Sequence, residues 1–244
     1  MEGYELGDLL YENSLSKESD IDDFILEGKA EIYFVKGRMR MENTLDPEIV
    51  GNQKGNFVFW CPKEFSANLA VKWEFKPLNE PGLAMMFFCA KGRNGEDIFN
   101  KALSPREGIY KQYNRGDINA YHVSYYRRRL DKEIDFHTCN LRKSYGFHLV
   151  STGPDPIPNI EDIKEPYSLT LIKYENEISF YIYNPYTEKD QILFKWIDDG
   201  KTFGEVLGEG KIGLRQMAPL IGEYANLKVY EVTKESGENQ CRKN

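Results

Sequence analysis

The chain has 244 residues, 41% of them hydrophobic and 14% aromatic, which is enough material for a large buried core and excludes a disordered chain. Its net charge of −7 argues against duplex nucleic acid or an anionic membrane as the main partner, because proteins that bind these usually carry a positive balance.

The N-terminal segment, residues 1–27, is acidic and has neither the basic nor the apolar region of a secretory signal peptide. We expect it to form an acidic arm, either a solvated helix or a packing arm, ahead of the folded domain. No window of the chain approaches the ~20 apolar residues that a membrane span needs. A cytoplasmic protein is therefore expected.

Residues 28–233 alternate between short segments rich in Val, Ile, Phe and Tyr and turns rich in Gly, Pro, Asn and Asp. The predicted strands are Ala30–Val35, Arg38–Asn43, Phe57–Trp60, Leu69–Phe75, Ala84–Ala90, Ala120–Arg128, Gly146–Ser151, Tyr167–Tyr174, Glu177–Tyr183, Gln191–Trp196, Lys211–Gln216 and Ala225–Thr233. Many strands with almost no helix predict an all-β fold, a two-sheet antiparallel sandwich or jelly roll. We expect one domain over 1–244, with residues 234–244 as a frayed polar tail.

The four cysteines are scattered along the chain without any CxxC pair or metal-ligand spacing. Cys61, Cys89 and Cys139 lie in apolar or aromatic runs, which favours small buried core residues over disulfides. No cofactor is predicted. A structural calcium ion stays open, because its usual ligands, Asp and backbone carbonyl oxygens, are too common for a sequence to decide.

A basic island stands out between Arg106 and His148, where nine Lys/Arg face five Asp/Glu although the rest of the chain has a balance of −11. All three histidines, His122, His137 and His148, fall inside it. Their spacings match no common zinc motif. The island therefore indicates a site for an anionic or polyhydroxylated ligand.

The strand Ala120–Arg128 carries the most suggestive side chains of the island. Strict alternation would put His122, Tyr126 and Arg128 on one face of the sheet. An Arg can bind a carboxylate through two parallel hydrogen bonds, while His and Tyr can move a proton. The alternative interpretation is a solvated β face with an aromatic ladder.

Further binding candidates lie on either side of this strand. Asn140 and Arg142 suit sugar hydroxyls or a uronate carboxylate, and exposed aromatic rings such as Trp60, Tyr110, Tyr113 or Tyr126 could stack on sugar rings. The full set of predicted substrate-binding residues is Trp60, Glu96, Asp97, His137, Asn140, His148, Arg215 and Gln216.

Paired carboxylates are the alternative chemistry for an all-β carbohydrate enzyme. Glu96 and Asp97 form one candidate pair. Glu133 and Asp135 begin an E-x-D pattern, but Thr138 stands where the E-x-D-x-x-E motif of laminarinase-like hydrolases needs its last Glu. That motif is therefore absent.

Several short motifs occur together in one order between Gly28 and Glu231. They are Gly37–Met41, Asn56–Pro62, Glu80–Leu83, Gly95–Phe99, Gly116–Asn119, Tyr121–Arg128, Thr138–Ser144, Gly153–Pro158 and Ile212–Pro219. In these the chain resembles the YesU-like family of bacterial carbohydrate-utilisation clusters, whose function is undefined. The resemblance implies a concanavalin A-like lectin/glucanase sandwich and a setting of acidic plant-polysaccharide breakdown, but it supplies no catalytic residue.

These observations favour a protein that binds short uronate-containing oligosaccharides as its partner and processes them by β-elimination. In that hypothesis Arg128 and Arg142, helped by Asn140 or Gln216, neutralise the uronate carboxylate. Either His122 or Tyr126 then removes the C5 proton, and the other protonates the leaving oxygen. The alternatives are a non-catalytic, lectin-like binding protein and a glycoside hydrolase that uses Glu96 and Asp97.

Overall fold

The computed structural model describes residues 3–128 and 137–235. Its strands are β1 (Tyr4–Asn13), β2 (Ile25–Glu27), β3 (Ala30–Val35), β4 (Arg38–Asn43), β5 (Phe57–Phe65), β6 (Leu69–Pro77), β7 (Gly82–Gly92), β8 (Ile118–Arg128), β9 (Thr138–Ser144), β10 (His148–Pro154), β11 (Tyr167–Tyr174), β12 (Glu177–Asn184), β13 (Lys189–Ile197), β14 (Gly210–Met217) and β15 (Gly222–Lys234). Helices are short: α1 (Pro47–Val50), α2 (Lys111–Asn114) and 3-10 turns at Glu18–Asp20, Asn52–Gly55 and Ile160–Asp162.

The strands form two antiparallel sheets, as the sequence predicts. Sheet A has eight strands in the order β13-β12-β11-β6-β15-β4-β3, with β1 also paired to β15. Sheet B has seven strands in the order β10-β9-β8-β7-β14-β5-β2. The two-sheet sandwich is thus confirmed, and no helix of the described ranges is long and apolar enough to cross a membrane.

The main core fills the space between the two sheets. Side chains alternate along each strand, so every second residue of the inner strands points into this space. Sheet A contributes Val71, Trp73 and Phe75, and sheet B contributes Phe59 and Tyr121. Cys61, Cys89 and Cys139 are buried free thiols, which agrees with the prediction from the sequence.

The N-terminal segment packs along the sandwich as two strands. β1 pairs with β15 from Tyr4 to Asn13, and β2 pairs with β5. The ring of Tyr4 is buried against the outer side of sheet A, near Tyr174. Apolar residues among the acids thus pack on the sandwich, which agrees with a packing arm and not with a solvated helix.

The prediction also misses β9, because Thr138–Ser144 is mostly polar in sequence. Its inward side chains include Cys139, Leu141 and Lys143, and the Lys143 ammonium is buried on Asp198 at 2.6 Å. Glu133 and Asp135, and residues 236–244 of the predicted tail, lie outside the described residues.

The outer face of sheet B carries a second apolar cluster. Val58, Trp60, Met85 and Phe87 lie on this face, and the connection from residue 93 to residue 117 covers part of it with Ile98, Tyr113 and neighbouring side chains. This connection between β7 and β8 forms the walls of the candidate site.

Candidate functional site

Residues from four neighbouring strands align across the outer face of sheet B. In one row His122 of β8 stands opposite Phe87, and Phe87 stands opposite Gly213 of β14. In the adjacent row Arg215 of β14 stands between Met85 and Val58. The absence of a side chain at Gly213 is required, because a Cβ there would lie 2.5 Å from the Trp60 ring.

Arg215 is the most unusual residue of this face. It is completely buried, and none of its three guanidinium nitrogens donates a hydrogen bond to any described residue. Its guanidinium carbon lies 5.1 Å from the ring centre of Tyr110 and 5.2 Å from that of Tyr113. Burial lowers the pKa of Arg215, because the charged form loses its hydration.

A tyrosine and a histidine adjoin this guanidinium. The hydroxyl of Tyr110 lies 2.5 Å from Nε2 of His122, and Nδ1 of His122 has no partner among the described residues. Burial, followed by the charges of Arg142 and Arg215, lowers the pKa of His122 to about 3. The imidazole is therefore neutral at physiological pH, and burial raises the pKa of Tyr110 to about 12.

Arg142 and Phe147 complete the cluster on the side of β9. The Arg142 guanidinium lies 3.8 Å from the centre of the Phe147 ring, and Phe147 meets Tyr110 edge-on at 5.6 Å. Arg142 is only half-buried and Phe147 is exposed, so this side of the cluster faces solvent. Tyr110, His122, Arg142, Phe147 and Arg215 are called the Arg215 site below.

A groove of about 480 Å³ leads to the Arg215 site. Tyr110 and Phe147 form its apolar surfaces, and Gln53 and Asn114 add amide groups. Its charged lining residues, Lys111 and Arg115, are both basic. The groove thus combines aromatic rings, hydrogen-bonding amides and positive charge.

Glu27 is the carboxylate that interacts electrostatically with Arg215, but its oxygens are engaged elsewhere. They accept hydrogen bonds from Trp60 Nε1 at 2.9 Å, Tyr113 Oη at 2.9 Å and Arg106 Nη2 at 2.7 Å. Trp60 is completely buried beside this carboxylate, so it supports the face from beneath and offers no ring to a sugar.

Tyr126 and Arg128 do not join His122. The Tyr126 ring belongs to the core between the sheets, and its hydroxyl donates a 2.6 Å hydrogen bond to Glu80. Arg128 binds Asp155 at 3.1 Å and Asn159 at 2.6 Å. His137 lies 3.2 Å from the same Asp155, on the rim of this separate polar cluster.

A β-bulge causes the separation. Ser124 pairs with Met85 while Tyr126 pairs with Ala84, so Tyr125 is an extra residue in β8. Both Tyr125 and Tyr126 then point into the core. Strict alternation ends at this bulge, and the shared face predicted for His122, Tyr126 and Arg128 is therefore wrong.

Gln216 and Asn140 occupy supporting positions. The amide of Gln216 points between the sheets and donates to the carbonyl oxygens of Met41 and Leu220 at 3.0 and 2.9 Å. Asn140 is buried on β9 opposite Ser124. Gln216 thus ties the two sheets together on the side away from the groove.

The remaining predicted residues lie near one end of the sandwich. His148 stacks on Phe203 at 4.4 Å and lines a cleft of about 580 Å³. Glu96 is held by Asn94, and Asp97 pairs with Lys211 at 3.1 Å. Glu96 and Asp97 therefore do not belong to the Arg215 site.

No group of three or more His, Cys, Asp or Glu that could hold a metal occurs in residues 3–128 and 137–235.

Comparison with known proteins places the chain in a family. The model of a domain of unknown function, DUF1961, matches residues 8–229. The chain belongs to the DUF1961 family. The uncharacterized protein YesU of Bacillus subtilis is 42% identical over 231 residues, which are 95% of this chain and 99% of YesU, so the YesU-like resemblance is confirmed.

Solved structures show the same fold for this DUF1961 protein. A Bacillus subtilis protein of unknown function with a galectin-like fold is 41% identical, with a TM-score of 0.87 over 95% of this chain and all of that one. Winged bean acidic lectin, solved with methyl-α-D-galactose, is 12% identical, with a TM-score of 0.61 over 91% of this chain and 99% of the lectin. The concanavalin A-like, lectin-type sandwich expected from the sequence is thus confirmed.

The sequence identified part of the Arg215 site. His122, Arg142 and Arg215 are predicted residues that the fold brings together, and Tyr110 is one of the aromatic residues singled out for sugar stacking. Phe147 is missed, although its neighbours Ser144–Gly146 resemble a turn. An aromatic residue in a basic, Gly-containing turn is the signal that could have found it.

Proposed function

We propose that this protein binds short, acidic oligosaccharides in the groove over the Arg215 site. The observation that carries the proposal is the complete burial of Arg215 without a hydrogen-bonding partner in the described chain. A buried cation costs several kcal/mol unless an anion compensates it, and a guanidinium fork matches a carboxylate. A uronate carboxylate is the anion of that shape on a sugar.

The groove suits the rest of such a ligand. The exposed ring of Phe147 offers an apolar surface for a sugar ring, while Gln53 and Asn114 can bind hydroxyl groups. Lys111, Arg115 and Arg142 give the entrance a positive potential, which attracts an anionic chain. Tyr110 lines the groove and its ring centre lies 5.1 Å from the buried Arg215 guanidinium, so its ring turns aside when the carboxylate reaches the guanidinium.

Titration calorimetry with uronate di- to tetrasaccharides and their carboxyl-reduced, neutral counterparts tests this proposal. We expect binding of the acidic series only, and its loss in Arg215→Met. Arg40→Met is the matched control, since Arg40 lies on sheet A in a salt bridge with Glu223 and should leave binding intact. Equal binding of both series, or unchanged binding by Arg215→Met, would overturn the proposal.

A second candidate function is β-elimination at the same site, favoured by the 2.5 Å contact between Tyr110 and His122. Tyr110 has here the acid–base role that the sequence analysis gave to Tyr126. Its oxygen would remove the C5 proton while its own proton passes to His122. The C5–H electron pair forms the C4–C5 double bond, the C4–O4 bond breaks, and Tyr110 protonates the leaving oxygen before His122 returns the proton.

The two functions are distinguished by the product. Elimination generates an unsaturated uronyl group that absorbs ultraviolet light, and Tyr110→Phe and His122→Gln would abolish that absorbance. Binding without any absorbance change identifies a lectin-like protein. The pKa values of the unliganded site, about 12 for Tyr110 and about 3 for His122, oppose this proton transfer until a bound anion raises the pKa of His122.

A further inference from the structure

The cleft at the end of the sandwich combines a large volume with polar and aromatic lining residues. It encloses about 580 Å³, which is larger than the groove over the Arg215 site. Polar groups of Asn119, Ser144 and Thr202 line it together with the rings of Tyr145 and Phe203. Hydroxyl and amide groups beside aromatic rings suit a polyhydroxylated ring better than an apolar ligand.

One turn joins this cleft to the Arg215 site. Tyr145 in the turn that links β9 to β10 and His148 at the start of β10 line the end cleft, while Phe147 of the same turn lines the groove. Along β8, Asn119 of the cleft and His122 of the Arg215 site are three residues apart and therefore point to opposite faces of the strand. A single oligosaccharide that occupies both sites must therefore pass around the β9–β10 turn.

Buried hydrogen bonds fix the connection from β13 to β14, which forms one wall of the cleft. Lys143 Nζ donates to Asp198 at 2.6 Å and to the carbonyl oxygen of Gly204 at 2.8 Å, and Tyr121 Oη bonds the same Asp198 at 2.5 Å. The side chains of Lys143, Asp198 and Tyr121 are buried, so the connection from β13 to β14 is fixed before any ligand arrives. Such preorganisation lowers the entropic cost of binding.

The aromatic surface at the mouth is also arranged in advance. Tyr145 is 45% exposed, and the Arg93 guanidinium lies 4.2 Å from its ring centre. On the opposite side His148 is stacked on Phe203. The cleft thus offers ring faces at its mouth and hydrogen-bonding groups along its walls.

We infer that the end cleft is a second subsite, which binds the sugar units that follow the uronate held at the Arg215 site. The inference rests on the proposed function, since both sites would bind the same oligosaccharide. If so, the affinity of the protein should increase with oligosaccharide length. The increase should depend on the residues of the cleft, whereas binding of the uronate unit should depend on Arg215.

Two variants change residues that line the cleft and do not line the groove over the Arg215 site. Gly208 lines it, has no positive φ, and a Cβ placed there meets no other atom within 4 Å, so Gly208→Phe can start a side chain in open space at the cleft. Tyr145→Ala removes the exposed ring. Tyr183→Ala is the matched control, because Tyr183 is a 38% exposed tyrosine on β12 of sheet A.

Calorimetry with uronate di- and tetrasaccharides tests whether the cleft is a second subsite. We expect Gly208→Phe and Tyr145→Ala to weaken tetrasaccharide binding about three- to tenfold and to leave the disaccharide unchanged. Equal wild-type affinity for both lengths, or unaltered tetrasaccharide binding in both variants, overturns the second subsite while Arg215-dependent disaccharide binding still stands. Failure of every acidic sugar to bind overturns the proposed function and this inference with it.

Discussion

His122 and Tyr126 are four residues apart on β8, yet their side chains lie on opposite faces of sheet B. His122 contacts Tyr110 and Phe87 on the outer face, whereas Tyr126 contacts Phe75 of sheet A in the core. The extra residue Tyr125 in the bulge inverts the alternation between them. The tyrosine that can act with His122 is consequently Tyr110, which comes from the connection before β8.

Tyr126→Phe should therefore change stability and leave ligand binding unchanged. The substitution removes the 2.6 Å hydrogen bond to Glu80, and we expect a loss of about 1–3 kcal/mol in the free energy of unfolding. Urea denaturation measures the loss. Tyr110→Phe serves for comparison and should alter acidic-sugar affinity. Altered affinity in Tyr126→Phe, with unaltered affinity in Tyr110→Phe, would show that Tyr126 belongs to the binding site.

Arg215→Met should make the unliganded protein more stable. Methionine fills a similar volume, and the buried charge without a hydrogen-bonding partner is removed. We expect a gain of about 1–4 kcal/mol, measured by urea denaturation, together with loss of acidic-sugar binding. A large destabilisation would instead indicate that Arg215 has a structural role on sheet B.

His122 should make stability depend on pH. Its pKa falls from 6.5 to about 3 in the folded protein, so between these values the unfolded chain binds a proton that the folded chain does not. The stability contributed by neutral His122 is complete above pH 6.5 and is lost as the pH falls towards 3.

A comparison of wild type with His122→Gln isolates this contribution. Between about pH 7.5 and about pH 5, wild type should lose about 2 kcal/mol more unfolding free energy than the variant, because each pH unit below the unfolded pKa contributes about 1.4 kcal/mol. Denaturation curves at several pH values measure it. Parallel pH profiles would show that His122 is not buried in its neutral form.

Gly146→Ala should disturb both sites through the turn that they share. Gly146 has a φ of +104°, and a Cβ there would lie 2.2 Å from Nε2 of His148. We expect His148 to leave Phe203 and Phe147 to move, with weaker binding of all oligosaccharides. Gly37→Ala is a control for backbone strain alone, since Gly37 has a φ of +72° and open space around it.

The sequence predicted the sandwich well because the signal for each strand is local. Alternating apolar residues and turn formers mark β3, β4 and β11 at the bounds that the structure shows. β1, β2 and β9 are absent from the prediction; in β1 and β9 the polar residues conceal the few side chains that face inward. Pairing with β15 and the buried contact between Lys143 and Asp198 reveal those strands only in the folded chain.

The chemical character of the site was also readable before the fold was known. His122, Arg142 and Arg215 were predicted from residue type within a basic island or a motif, and they meet on the outer face of sheet B. Residue type reports which groups are able to bind an anion. It does not report their neighbours in space.

Only the tertiary structure decided which residues face the groove. A single extra residue in β8 turns Tyr126 and Arg128 away from His122, and alternation cannot foresee a bulge that depends on the pairing of β8 with β7. The burial of Arg215 beneath Tyr110 likewise results from packing between distant segments. Local pattern thus specifies the strands and the chemical groups, whereas long-range pairing determines the faces on which those groups lie.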